Sequence, residues 1–308
     1  MRKILAVALV ALATPSAASA YTAESLLHGI NNIVLNDLDA SAETQGTVYV
    51  GNNYNGSGGN VNPDGMPDFD LGSGIAGSLV VGGDINAVVN LNNGSAQIGG
   101  AVNGTLNNNG SGAMQVGVAG IPTADITSLL QNLSTDLASN PDTPGGTANT
   151  TDPNNVNFVS GSGDANGIQF FNISGSVLAG GTLTGITAPA GVTTIVNVGG
   201  TGPTIGINAN QLGPDVLVNF YEASTLTINT AFNYSILAPF ANVVQNGGGI
   251  FGTLVSYNLD QNAEVRPYAA TTIPYGGILP AQQVPAPAGL ALILGGLAGI
   301  TVLARRKA

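Results

Sequence analysis

Cysteine and tryptophan are absent from the 308 residues, histidine occurs once, and six residues in all are basic. Without cysteine no disulfide braces the fold and no thiolate can act as nucleophile or metal ligand. His28 alone makes neither a zinc cluster nor the base of a nucleophile–base pair, and it reads as a surface or cap residue. Five of the basic residues lie in the first three and last four positions, which leaves Arg266 alone against seventeen acidic residues and a net charge near −16 between the ends. Such a body repels nucleic acid and anionic membranes. It also lacks the lysines that Schiff-base chemistry or Lys–Asn isopeptide cross-links need. Carboxylate enzymes that cut acidic polysaccharides need a cation beside the carboxylates to neutralise the substrate, and Arg266 is the one candidate, so the chain reads as non-enzymatic.

What is present begins with the two ends. Arg2 and Lys3 precede an apolar run over residues 4–13, and Ala18, Ser19 and Ala20 supply a small-x-small cleavage site, so residues 1–20 read as a secretory signal peptide cut after Ala20. At the other end Val284, Pro285, Ala286 and Pro287 precede an apolar segment over 288–304, closed by Arg305, Arg306 and Lys307. A proline pair, a short hydrophobic helix and a basic stop predict a terminal membrane stop with its basic end in the cytoplasm. This tail resembles a PEP-CTERM sorting signal, with Ala286 where that signal usually has glutamate. The resemblance implies an exosortase-type sorting enzyme as partner, contact with the membrane through the C-terminal helix before processing, and a Gram-negative host.

Between the ends, short β-branched runs closed by glycine recur: Val48-Tyr49-Val50-Gly51, Leu79-Val80-Val81-Gly82, Gln97-Ile98-Gly99 and Gln115-Val116-Gly117, with 17 residues from Gly82 to Gly99 and 18 from Gly99 to Gly117. A second series follows at Val177-Leu178, Thr194-Ile195-Val196, Val216-Leu217-Val218, Ser235-Ile236-Leu237 and Thr253-Leu254-Val255. Apolar strands at this interval, parted by Asn, Gly, Ser and Asp, predict an all-β parallel β-solenoid, with glycine and asparagine in turns that need positive φ and with stacked asparagine amides forming ladders. A β-sandwich is the competing all-β arrangement. One segment breaks the pattern. Ile126, Leu129, Leu130, Leu133 and Leu137 have helical spacing, which predicts one amphipathic helix packed along the solenoid, and a second short helix near residues 23–30 could cap the first turn of it.

Candidate binding groups are sparse. Asp64, Asp68 and Asp70, with Asn62, crowd one loop and offer hard oxygen ligands for calcium, although no complete calcium-loop pattern is present, and Asp37 with Asp39 is a weaker pair. Otherwise no cofactor is expected. Thr182 with Thr184, and Thr225 with Thr227, alternate with apolar residues and would line up hydroxyls on one face, as ice-binding surfaces do.

Two stretches of the body resemble the choice-of-anchor A family of exported bacterial domains. One runs from Asn32-Ile33-Val34-Leu35 through Gln45-Gly46-Thr47-Val48 to Val80-Val81-Gly82-Gly83-Asp84. The other contains Val216-Leu217-Val218-Asn219-Phe220-Tyr221, Ser235-Ile236-Leu237-Ala238-Pro239 and Gly252-Thr253-Leu254-Val255. That resemblance implies a β-rich surface or matrix domain with no catalytic residue. The expectation is therefore a signal peptide at 1–20, a solenoid domain at 21–270, a linker at 271–283 and a sorting signal at 284–308. The whole would be an exported structural or adhesive protein of the cell envelope or biofilm matrix, meeting exopolysaccharide or surface glycans. The alternative is an ice-binding-like or calcium-dependent glycan-binding β-helix.

Overall fold

The computed structural model describes residues 21–268 and 274–280. The signal-peptide residues Ala18 and Ala20 and the sorting residues Val284, Pro285, Pro287, Arg305 and Arg306 lie outside the described residues. So does the apolar segment expected as a sorting helix. No helix among the described residues is long and apolar enough to cross a membrane.

Among the described residues the body is all-β, as the glycine-punctuated runs predict, with two α-helices. Its longest ladder stacks ten parallel strands in the order Ile168–Ser174, Thr193–Gly199, Asn208–Asn219, Phe232–Gln245, Leu254–Gln261, Asn32–Val34, Val48–Val50, Leu79–Val81, Ala96–Ile98 and Met114–Val116. A second parallel ladder joins Thr204–Ile205 and Thr225–Ile228 to the ends of the two long strands and on to Leu38–Ala40 and Tyr54–Gly56. A third includes Val265–Arg266, the single bridge at Thr44, and Gly59–Val61, Val88–Leu91 and Thr105–Asn108. The large sheet is mixed rather than wholly parallel, because Thr147–Asn149 folds back antiparallel on Val156–Val159, and Phe69–Asp70 pairs antiparallel with Ala76–Gly77 as a small separate sheet. Both exceptions are short hairpins. The antiparallel sandwich is not what the long ladders form.

The order of strands holds a point the sequence does not announce: the chain starts in the middle of the stack. Asn32–Val34 is flanked by Val48–Val50 on one side and Leu254–Gln261 on the other. The chain builds outward to Met114–Val116, returns past the stack as a helix, restarts at the far end and closes against its own beginning. Helix α1 (Ala23–Gly29) therefore caps no end, contrary to expectation. Thr22 accepts from Ser25 N at 3.1 Å and Ser25 Oγ from Thr22 N at 2.7 Å, a reciprocal cap that starts the helix. Leu26 and Leu27 are then buried beside the middle strands.

The return path is helix α2 (Thr123–Ala138), with Ile126, Leu130, Leu133 and Leu137 buried as the helical spacing predicts. Together with α1 it covers residues that point outward from the long ladder, among them Val80, Ile195, Leu217, Leu237 and Val255. This explains why runs such as Leu79-Val80-Val81 are continuously apolar. The outer two face the interior of the stack, the middle one faces the helix, and all three are fully buried.

Glycines at the run ends have a different cause from the one expected. Gly51, Gly82 and Gly99 do not have positive φ. Instead a Cβ on Gly51 would overlap the carbonyl of Leu35, one on Gly82 that of Gly51, and one on Gly99 that of Gly82. The column is glycine because backbones stack there with no room for a side chain. Gly117, at φ 76°, is the member of the series that does need the left-handed region.

The stretch expected as a linker is instead pinned over residues 274–280. Tyr275 is fully buried, Gly276 N donates to Pro214 O at 2.8 Å, Ile278 N to Thr193 Oγ1 at 2.8 Å, and Leu279 N to Glu24 Oε2 at 2.9 Å.

Candidate functional site

With the helices over the long ladder, the polar groups available to a ligand are those along the other two ladders and their corners. At one corner five successive layers place an Asn or Asp just before an inward apolar residue: Asn242 before Val243, Asn258 before Leu259, Asp37 before Leu38, Asn53 before Tyr54, and Asp84 before Ile85. The Asn242 side-chain oxygen accepts from the Asn258 amide at 2.7 Å, and those of the other four accept backbone N–H groups of the next layer. Asn258 Oδ1 accepts from Asp37 N at 3.0 Å, Asp37 Oδ1 from Asn53 N at 3.0 Å, Asn53 Oδ1 from Asp84 N at 2.9 Å, and Asp84 Oδ1 from Ala101 N at 2.7 Å. A bend in a parallel ladder leaves such N–H groups without strand partners, and a short side-chain acceptor supplies one. Asp37 is thus a structural acceptor.

Two outward amide ladders continue the pattern. Asn103 donates to Asn86 at 3.0 Å and Asn86 to Asn55 at 2.8 Å, and in register beyond them lie the exposed carboxylates of Asp39 and Asp260. On the third ladder Asn107 donates to Asn90 at 2.8 Å, Asn90 to Asn60 at 3.2 Å and Asn60 to Glu43 at 3.2 Å. These are the stacked amides the asparagine content predicts. Each uses one donor and one acceptor along the stack, so an exposed amide keeps further hydrogen-bonding capacity for solvent or ligand.

Beside the Asx corner sit aromatic side chains that composition alone did not single out. Phe240 and Tyr257 are 38% and 37% exposed, and they fall between the same register pairs, Ala238↔Ser256 and Asn242↔Asn258. Tyr221 occupies the corresponding bend one layer on; partial burial, and then the Glu222 carboxylate, raise its hydroxyl pKa. Tyr257 alone carries that signal in the sequence, an aromatic immediately before the corner Asn258; Phe240 stands two residues before Asn242 and Tyr221 beside Glu222.

The candidate calcium ligands are not gathered. Asp68 Oδ1 accepts from Ser78 Oγ at 2.6 Å and Ser95 N at 3.0 Å, Asp70 Oδ1 accepts from Gly72 N at 2.7 Å, and Asp64 is exposed. Among the described residues no group of three His, Asp or Glu side chains is placed to hold a metal. The threonines do not form a row of their own. Thr227 lies in register with Thr204 on one side and Val244 on the other, Thr225 with Asn242, and Thr182 with Asn208, while Thr184 bonds Asn155 Oδ1 at 3.0 Å. His28 is half-buried rather than on the surface, its Nε2 2.8 Å from Gly277 O and its ring 5.6 Å from that of Tyr275. Arg266 pairs with Glu264 and lies over the Phe251 ring.

Sequence reasoning missed the polar column that ties α2 to the stack. Asn219 Nδ2 donates to Ser134 O at 2.9 Å, Asn197 Nδ2 to Leu137 O at 3.0 Å, and Asn172 Nδ2 to Asn140 O at 3.2 Å. Helix partners step by three residues, about 4.5 Å of rise, while strands step by about 4.8 Å. One asparagine per strand therefore meets one carbonyl, of the helix for Ser134 and Leu137 and of the turn just past its end for Asn140. The signal was an Asn at one place in three apolar runs, Phe171-Asn172-Ile173, Val196-Asn197-Val198 and Val218-Asn219-Phe220.

A family model described as "Putative Ice-binding-like adhesive domain" matches residues 24–267, most of the chain. No curated protein and no solved structure matches it.

Proposed function

This chain belongs to the family of ice-binding-like adhesive domains, and on that premise we propose that it is a non-enzymatic adhesive module at the cell surface or in the extracellular matrix. In this reading the three parallel ladders are the faces of a β-solenoid, and the Asx corner with its exposed aromatics is a contact strip for glycan. The observation that carries it is the juxtaposition of Phe240 and Tyr257 with outward amides and carboxylates at a rigid, repeating spacing. Sugar rings offer an apolar face to an aromatic and hydroxyls to amides and carboxylates at once. The sole basic residue of the body is already paired, so the surface suits neutral rather than acidic polysaccharide. Delivery through a PEP-CTERM-like tail by an exosortase-type enzyme of a Gram-negative host, as a choice-of-anchor A protein of an exopolysaccharide matrix, belongs to the same proposal and rests on the tail residues named above.

The test is retention of the full chain on immobilised neutral and acidic polysaccharides, beside the double variant Phe240→Ala/Tyr257→Ala. Retention on a neutral glycan that the double variant loses is expected; equal retention of both proteins would sink the aromatic strip. The ice-binding reading has Thr204 and Thr227 in register on its side. That row, however, runs through Val244 into Asp260 and Asp39, whose strongly hydrated carboxylates break any ice-like order of surface water. A thermal hysteresis measurement on the same protein separates the two, and clear hysteresis would favour ice.

A further inference from the structure

The two ends of the stack are finished differently. At one end the antiparallel hairpin of Thr147–Asn149 and Val156–Val159 closes the interior, with the Phe158 and Phe171 rings packed 5.2 Å apart. At the other, Met114–Val116 pairs with Ala96–Ile98 and, among the described residues, with no further strand. Met114 and Val116 occupy inward rows. Their register partners Ala96, Leu79 and Val48, and Ile98, Val81 and Val50, are all 0% exposed, whereas Met114 is 44% and Val116 57% exposed. Core positions are thus open at this end for want of one more layer.

Charge singles out the same end. From Ile85 to Ala124 there is no acidic or basic residue, forty consecutive positions in a body of net charge near −16. Natural edges are usually guarded by charge, proline or a bulge, and the run Ala113-Met114-Gln115-Val116-Gly117 has neither charge nor proline. Elsewhere two acidic bodies would repel one another. At this neutral end they would not, and the unguarded edge offers apolar rows and backbone groups in one line.

We infer that a second copy of this chain docks here, edge to edge, about a two-fold axis at Gln115. In such an antiparallel pair Gln115 lies opposite the other copy's Gln115, and Met114 opposite the other copy's Val116, so the inward rows of one stack run into those of the other. The contact is isologous and closes at two copies. It is independent of the glycan reading, because it uses the end of the stack and not its side.

The chain has no cysteine, so Gln115→Cys introduces a unique reporter. Opposed residues of an antiparallel pair have Cα atoms about 4.5–5.5 Å apart, within the reach of a disulfide. In the full chain, sedimentation over a concentration series should show monomer and dimer. Gln115→Cys should become a disulfide-linked dimer under mild oxidation, and Met114→Lys/Val116→Lys should sediment as a monomer with an unchanged circular dichroism spectrum. The control Val159→Cys, exposed at the closed end, should not cross-link. A monomeric wild type, association that the lysines leave unchanged, or growth into open-ended oligomers would each overturn the inference; failure of glycan retention would leave it standing.

Discussion

Replacing Asn219 by alanine tests whether the polar column, and not apolar packing alone, holds helix α2 on the stack. Asn219 is fully buried; its amide donates to Ser134 O and to Asn197 Oδ1, both at 2.9 Å, and its oxygen accepts from Ser134 Oγ at 2.6 Å. Truncation leaves Asn197 Oδ1 and Ser134 Oγ without those partners in a buried interface. An orphaned buried polar group costs about 1–3 kcal/mol, so two of them with a small cavity amount to about 3–5 kcal/mol, a large part of the 5–15 kcal/mol typical of a domain. Asn219→Asp keeps the volume and the acceptor but loses both donors, and it places a carboxylate against two acceptor oxygens, so it should be at least as damaging. Ser134→Ala removes one partner and should cost about 1–3 kcal/mol. Because the two side chains share a bond, the double variant Ser134→Ala/Asn219→Ala should fall short of the sum by about 1–2 kcal/mol. Urea unfolding followed by circular dichroism gives all four values. A loss below about 1 kcal/mol for Asn219→Ala, or strict additivity, would refute the reasoning and leave the helix held by Ile126, Leu130, Leu133 and Leu137 alone.

Other outcomes follow from the same geometry. Burial raises the Tyr234 hydroxyl to about 12 and those of Tyr49, Tyr54 and Tyr275 further. A pKa raised in the folded state contributes stability that is complete below pH 10 and lost as pH climbs through the folded values, so the protein should unfold cooperatively in strong alkali as tyrosinate absorbance rises. Free titration of every tyrosine near its ordinary value with the fold intact would contradict this. Gly99→Ala forces a Cβ into the Gly82 carbonyl and should lower the melting temperature much more than Gly117→Ala, which meets open space and bears only the cost of positive φ, about 1 kcal/mol; equal losses would show the column is not tightly stacked. Calcium should leave the melting temperature unchanged, because Asp68 and Asp70 are engaged within the protein; a rise that Asp64→Asn abolishes would restore the loop as a metal site.

Residues that act through local pattern were legible in the sequence. The heptad-like spacing of Ile126 to Leu137 marked helix α2 and its buried face, and the 17- and 18-residue intervals marked strands that fall into register as neighbours, Leu79–Val81 against Ala96–Ile98 against Met114–Val116. Asparagine content announced amide ladders, because a stack of parallel strands repeats the same polar position every layer. The scarcity of basic residues and the absence of cysteine narrow the chemistry the sequence suggests.

What the chain could not declare residue by residue is what depends on who becomes whose neighbour across long separations. That Asn32–Val34 lies against Leu254–Gln261 makes the N-terminus the middle of the stack, and no local signal carries a contact over more than two hundred residues. The same folding decided that Gly82 and Gly99 serve close stacking and not positive φ, that Asp68 accepts hydrogen bonds from Ser78 and Ser95, and that Tyr275 belongs to the core and not to a linker. Each outcome is set by the second backbone or side chain brought to within a few ångströms, a quantity that tertiary structure alone supplies.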